Sequence, residues 1–185
     1  MQKILTRFKS NPDNKEQLNN ARFPIYVVLE NIRSLYNVGS VFRSADAARI
    51  KMLYLTGITG FPPRKEITKT ALGAQDTVPW YRAEKTPPLL KSLKKEGVTI
   101  VAVEHTDKSD SIWREPFLFP VCFVFGYEIE GIDSETLNHC DCAIEIPMFG
   151  YKGSLNVAVT CGIVLFEALR QLHEQERKET ATVRG

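Results

Sequence analysis

The chain has 185 residues, 43% of them hydrophobic and 25% charged, with a net charge of +2, a composition that fits one globular domain able to bury a core. No apolar run reaches membrane-spanning length and the opening MQKILTRFKS is too polar for a secretory signal, so a cytoplasmic protein without membrane attachment is expected. Charge is uneven: residues 1–100 carry 17 Lys/Arg against 8 Asp/Glu, and residues 101–185 carry 7 against 14. A polyanion-binding face in the first half and a chance difference between solvated helix faces explain this about equally well.

In chain order, residues 1–22 are polar, with an SNPDN turn cluster, and read as a short arm before a single domain spanning residues 23–174. Residues 25–29 (IYVVL) have the continuous apolar character of a buried strand. An irregular stretch follows, then a helix over residues 37–48 with small side chains on one side. Residues 52–55 form a second strand, closed by the breakers GITG and FPP. Residues 68–73 read as helical, and residues 87–96 as a helix opened by prolines and stopped by Gly97.

Residues 98–103, 121–125 and 143–146 complete the set of buried-type strands. The last helix runs from Leu155 to about Gln175. Its first three turns, LNVAVTCGIVLF, are apolar nearly all round and demand cover on most sides. The remaining residues, 175–185, form a polar tail. Strands alternating with helices give an α/β domain whose sheet is mainly parallel. Three of the four cysteines lie in apolar runs, and Cys140-Asp-Cys142 lacks both the usual metal-ligand spacing and a second pair, so structural thiols and no metal are expected.

Three segments sit at strand-to-loop or loop-to-helix junctions, where open α/β sheets place ligands. In Asn37-Val-Gly39-Ser-Val-Phe-Arg43, Gly39 permits a close backbone approach and Arg43 offers a two-pronged guanidinium. Taken alone, Asn37 is a helix cap and Arg43 a surface charge. In Phe125-Gly126-Tyr-Glu128-Ile-Glu-Gly131, a strand runs into a turn that holds a carboxylate between two glycines; taken alone, a solvent-exposed turn is the better explanation. In Ile146-Pro147-Met148 followed by Ser154-Leu155-Asn156, a strand end and a glycine-bearing loop open the apolar helix. The dinucleotide fingerprint G-x-G-x-x-G, the phosphate loop G-x-x-x-x-G-K-[ST] and the nucleophile elbow G-x-S-x-G are all missing.

Together these segments resemble the three motifs of the SpoU family of RNA methyltransferases, within the SPOUT superfamily. The likeness runs from about residue 24 to residue 172, and its force lies in three motifs in order. The resemblance implies an α/β sheet with a C-terminal deep trefoil knot and a homodimer using the final helix. It also implies transfer of a methyl group from S-adenosylmethionine to a ribose 2′-hydroxyl of RNA, leaving S-adenosylhomocysteine. On this reading Gly126, Ile146, Met148 and Leu155 hold the adenosine, with Glu104 and Ser154 completing the cofactor site. Arg43, supported by Asn37, Glu128, Ser154 and Asn156, forms the catalytic group.

A guanidinium does not deprotonate in proteins, so Arg43 is expected to clamp a phosphate rather than act as a base. The chain more closely resembles minimal members without a separate RNA-recognition domain, which points to tRNA ahead of rRNA. Recognition is then expected from the basic first half and the Phe61–Lys69 loop. The competing readings are a catalytically silent knotted RNA-binding module and an rRNA- or base-directed methyltransferase.

Overall fold

The computed structural model describes residues 22–183. The expected arm, residues 1–22, lies outside them except for Arg22, which donates to the carbonyls of Ile50 and Thr77. The strands are β1 (Phe23–Glu30), β2 (Ile50–Thr56), β3 (Trp80–Ala83), β4 (Thr99–Val103), β5 (Asp110–Ser111), β6 (Val121–Phe125) and β7 (Cys142–Glu145). The helices are α1 (Leu35–Ala47), α2 (Lys65–Ala71), α3 (Thr86–Lys95), α4 (Ser134–Leu137) and α5 (Val157–Val183). The sheet order is β3-β2-β1-β6-β4-β7-β5, and its pairings are parallel throughout. The late strand β6 lies between β1 and β4, and β7 between β4 and β5, so the last third of the chain returns into the sheet.

The period of two along each strand sorts the core into two layers. Ile25, Val27 and Leu29 of β1, with Val121, Phe123 and Phe125 of β6, face the layer that holds Val38, Phe42, Ile67 and Leu165 from α1, α2 and α5. Val28, Cys122, Val124, Ile100 and Ala102 point the other way, onto Leu90 and Leu93 of α3. Both faces are covered, which is why these strands read as continuous apolar runs.

Sequence reading missed β3 and β5, the two edge strands. In β3, Tyr81 and Arg82 are exposed and form no apolar run, while β5 is two residues long. Helix α1 starts two residues earlier than expected because Ser34 is its cap, its side-chain oxygen accepting from Asn37 N–H. The final helix continues past Gln175 to Val183, through the segment taken for a polar tail. Its residues 174–179 are all Glu, Gln, Arg or Lys, good helix formers. Arg170 bonds Glu167 and Glu174 on the exposed face. Among the described residues no helix is long and apolar enough to cross a membrane.

Candidate active site

The carboxyl ends of β1, β4, β6 and β7 open on one side of the sheet, and the loop after β6 turns back there. Gly126 makes the turn possible. A Cβ on it would lie 2.3 Å from the carbonyl carbon of Gly131, so only a bare α-carbon lets the loop backbone fold against the strand end. Gly131 takes φ +73°, and its N–H donates to Tyr127 C=O at 2.8 Å. Two carboxylates then fasten the loop from below. Glu104 accepts from Ile132 N–H at 3.1 Å. Glu30, 2% exposed, accepts from Asp133 N–H and the Thr136 hydroxyl.

The loop holds Glu128 where helix α1 begins. Asn37 donates from Nδ2 to Glu128 Oε1 at 2.5 Å, and its Oδ1 accepts from Asn156 Nδ2 at 3.1 Å. Asn156 Oδ1 in turn accepts from Ala158 N–H at 2.9 Å, capping α5. Ser34 has already capped α1, so the amide of Asn37 is left free to join the two loops. The three residues come from segments 91 and 119 positions apart, and they form one chain of hydrogen bonds.

Beside this chain lies a cavity of about 570 Å³. Of the residues named from sequence, Glu104, Gly126, Glu128, Ile146, Met148, Ser154 and Leu155 all line it. Sequence reasoning missed His105, Ile129, Glu130 and Glu145, which line it too. Glu145 carried a signal: it is the polar residue between Ile144 and Ile146 at the end of β7. Its carboxylate accepts from Ser109 Oγ at 2.8 Å and contacts His105 Nδ1. The Ser109 hydrogen bond first, and then His105, hold its pKa below the usual carboxylate range.

The walls combine Val103, Ile144, Ile146, Met148 and Leu155 with four carboxylates, and among the described residues no Lys or Arg lines the cavity. A phosphate-bearing nucleotide would find like charge there and no cationic partner. A phosphate-free nucleoside carrying positive charge meets apolar walls and attractive charge.

Two expectations change in detail. Gly39 serves packing rather than a ligand: a Cβ there would lie 2.1 Å from Thr70 Oγ1 and 2.4 Å from Ile67 C=O, so the glycine lets α1 and α2 touch. The Glu104 carboxylate is turned to loop backbone, accepting also from His105 N–H.

Arg43 is exposed, six positions along α1 from Asn37, and its guanidinium forms no hydrogen bond or ion pair with the described residues of its own chain. Its neighbour Ser44 packs over Gly162 of α5. On that flank Val159, Ile163 and Phe166 of α5 are exposed.

Burial pushes the Cys140 thiol up to about 12 and the Cys142 thiol up to about 11, Glu115 adding to the second. The wholly buried Cys122 and Cys161 are raised further. These are protonated structural thiols. Among the described residues no three His, Cys, Asp or Glu side chains gather where they could hold a metal.

A family model described as the SpoU rRNA Methylase family matches residues 24–166. The 23S rRNA (guanosine-2′-O-)-methyltransferase RlmB of Vibrio cholerae is 34% identical over 148 residues, 80% of this chain and 60% of that protein. The chain thus spans about 60% of the length of such curated relatives. The structure of the A. aeolicus TrmH/SpoU tRNA modifying enzyme superposes with a TM-score of 0.79 at 27% identity, covering 89% of this chain and 85% of that one. The AdoMet-bound rRNA methyltransferase from Sinorhizobium meliloti does so with a TM-score of 0.75 at 31% identity, covering 84% and 60%.

Proposed function

The chain belongs to the SpoU rRNA methylase family, and on that premise we propose that it is an S-adenosylmethionine-dependent methyltransferase acting on a ribose 2′-hydroxyl of RNA. The observation that carries the reading is the Glu128–Asn37–Asn156 chain of hydrogen bonds set against an acidic, partly apolar cavity. The cofactor fits that cavity by its chemistry. Ile146, Met148 and Leu155 offer an apolar seat for adenine, and the carboxylates of Glu128, Glu130 and Glu145 favour a sulfonium and an ammonium group. When bound, S-adenosylmethionine supplies an electrophilic methyl group.

The chain's own residues supply position and charge. Asn37 holds the Glu128 carboxylate and the Asn156 amide in one geometry, and alignment of this kind accounts for much of the acceleration of a two-reactant displacement. Ser154, exposed at the cavity mouth beside Asn156, offers a hydroxyl to the substrate or the cofactor. Arg43 acts as a phosphate clamp that favours the developing 2′-alkoxide, and phosphate or water takes the proton.

Because Arg43 stands apart from the Asn37 chain but beside the exposed strip Val159, Ile163 and Phe166, we place it at a subunit boundary. A homodimer through α5 then brings it to the partner's site and covers the apolar strip.

Ribosomal RNA is the substrate that the curated relatives favour, since their names state 23S rRNA guanosine; the expectation of tRNA gains nothing from them. A tRNA reading keeps one observation in its support, the likeness to the A. aeolicus tRNA modifying enzyme across 85% of that chain. Either RNA agrees with a cytoplasmic location.

Calorimetry with S-adenosylmethionine and S-adenosylhomocysteine tests the cofactor, and absence of binding would establish the silent RNA-binding module instead. Incubation with methyl-labelled cofactor and total RNA from cells lacking the protein, followed by mass spectrometry of nucleosides, is expected to give a 2′-O-methylated product. A base-methylated nucleoside would overturn the ribose assignment.

A further inference from the structure

The loop between β7 and α5 carries large aromatic side chains in water. Phe149 is 87% exposed and Tyr151 100% exposed. Across from Phe149 stands Trp113, 58% exposed, in the turn after β5; the two rings lie 6.1 Å apart between centroids and 5° from parallel. Arg114 and Lys152, next to Trp113 and Tyr151 in sequence, are exposed as well. The nearby acids are engaged elsewhere: Asp110 accepts from Ser111 N–H, and Glu115 acts on Cys142. The loop also carries Met148 on the cavity wall and Ser154 at its mouth. Single-stranded RNA is held by this combination of aromatic faces for unpaired bases and cations for the backbone.

We infer that Trp113, Phe149 and Tyr151 form a stacking platform for unpaired bases of the RNA beside the nucleotide to be methylated. The inference rests on RNA being the substrate and adds the part of the surface that grips its bases. An exposed, nearly parallel pair of rings is costly in water unless something covers it. Arg114 and Lys152 make a polyanion the fitting cover. The separate apolar strip on α5 presents no stacked ring pair and suits a second copy of the chain.

The test uses an unstructured oligouridylate and an RNA of equal length with abasic riboses. In a chain with Trp80→Phe, which leaves Trp113 as the single tryptophan, oligouridylate is expected to quench the fluorescence and the abasic RNA to leave it. Phe149→Ala and Trp113→Ala should each weaken oligouridylate binding roughly tenfold to a hundredfold. They should leave abasic RNA binding and S-adenosylhomocysteine affinity within about twofold, the size of a change at a solvent-exposed site outside any contact.

Equal affinity of the variants for oligouridylate, equal losses for both RNAs, or no base-dependent binding by the unmodified chain would each overturn the platform. Dissociation of a dimer by Phe149→Ala would overturn it too, making this face a subunit contact. Failure of S-adenosylmethionine to bind strikes the methyltransferase reading alone, because the platform is read from RNA affinity.

Discussion

The two loops that frame the cavity are built in opposite ways. The loop after β6 is fastened where it returns: Gly131 N–H to Tyr127 C=O, Ile132 N–H to Glu104, and Asp133 N–H to the buried Glu30. The loop after β7 has no hydrogen bond at residues 147–155 among the described residues, and it is tied at Asn156 and by the stack of Phe149 on Trp113. On the proposed function, the difference divides the work. A carboxylate that must sit within hydrogen-bond reach of a reacting oxygen gains from a rigid mount, and side chains that must fit a flexible polymer gain from a loose one.

Alanine at a glycine of each loop gives the largest contrast. Gly126→Ala drives a Cβ to within 2.3 Å of backbone at Gly131, which has nowhere to go. The expected loss is about 3 kcal/mol in urea denaturation, with S-adenosylhomocysteine binding abolished. Gly150→Ala adds a Cβ with nothing within 4 Å, and its expected effect on stability is within ~0.5 kcal/mol. Similar losses at both glycines would dissolve the distinction between the two loops.

Glu30 offers a finer cut at the same mount. Its two oxygens accept from Asp133 N–H and Thr136 O–H in a buried site. Glu30→Gln keeps the size but sets an amide donor against one of those donors, at an expected cost of about 2 kcal/mol. The product-forming rate should fall with it while the affinity for oligouridylate holds, since the platform lies on the other loop. A fall in RNA affinity equal to the fall in rate would join what the comparison separates.

The sequence carried the central strands and part of the cavity wall, because two-sided burial writes itself as runs such as IYVVL and VCFVF, and because motif residues cluster at strand ends. It carried the edges and the wiring poorly. Trp80–Ala83 pairs with β2 through backbone groups, with Tyr81 and Arg82 in water, so no apolar pattern marks it. Glu30 opens a stretch that reads as irregular and Glu104 is implied only as a cofactor residue; their ties to the loop depend on Asp133, Thr136 and Ile132, between 28 and 106 positions away. Asn37 read as a cap because its own sequence neighbourhood says so; Ser34 took that role, and the partners Glu128 and Asn156 arrive through the fold.

The smallest expected effect belongs to the cluster at the cavity's edge, where Ser109 and His105 fasten Glu145, the last residue before the loose loop begins. Those contacts lower the Glu145 pKa in the folded state, Ser109 contributing first. A carboxyl group depressed on folding adds stability at pH above its unfolded value, and that stability is lost as pH falls through the folded value. Ser109→Ala removes the larger cause and moves the folded pKa back toward the ordinary one. The variant should therefore fall short of the parent in urea midpoint at about pH 6 and approach it only as pH falls below the usual carboxylate range, where the carboxyl takes up its proton in both. A gap that widens on acidification would mean that Ser109 supports the β7 end through packing or backbone contacts, and that the fastening of the cavity's edge owes nothing to the charge on Glu145.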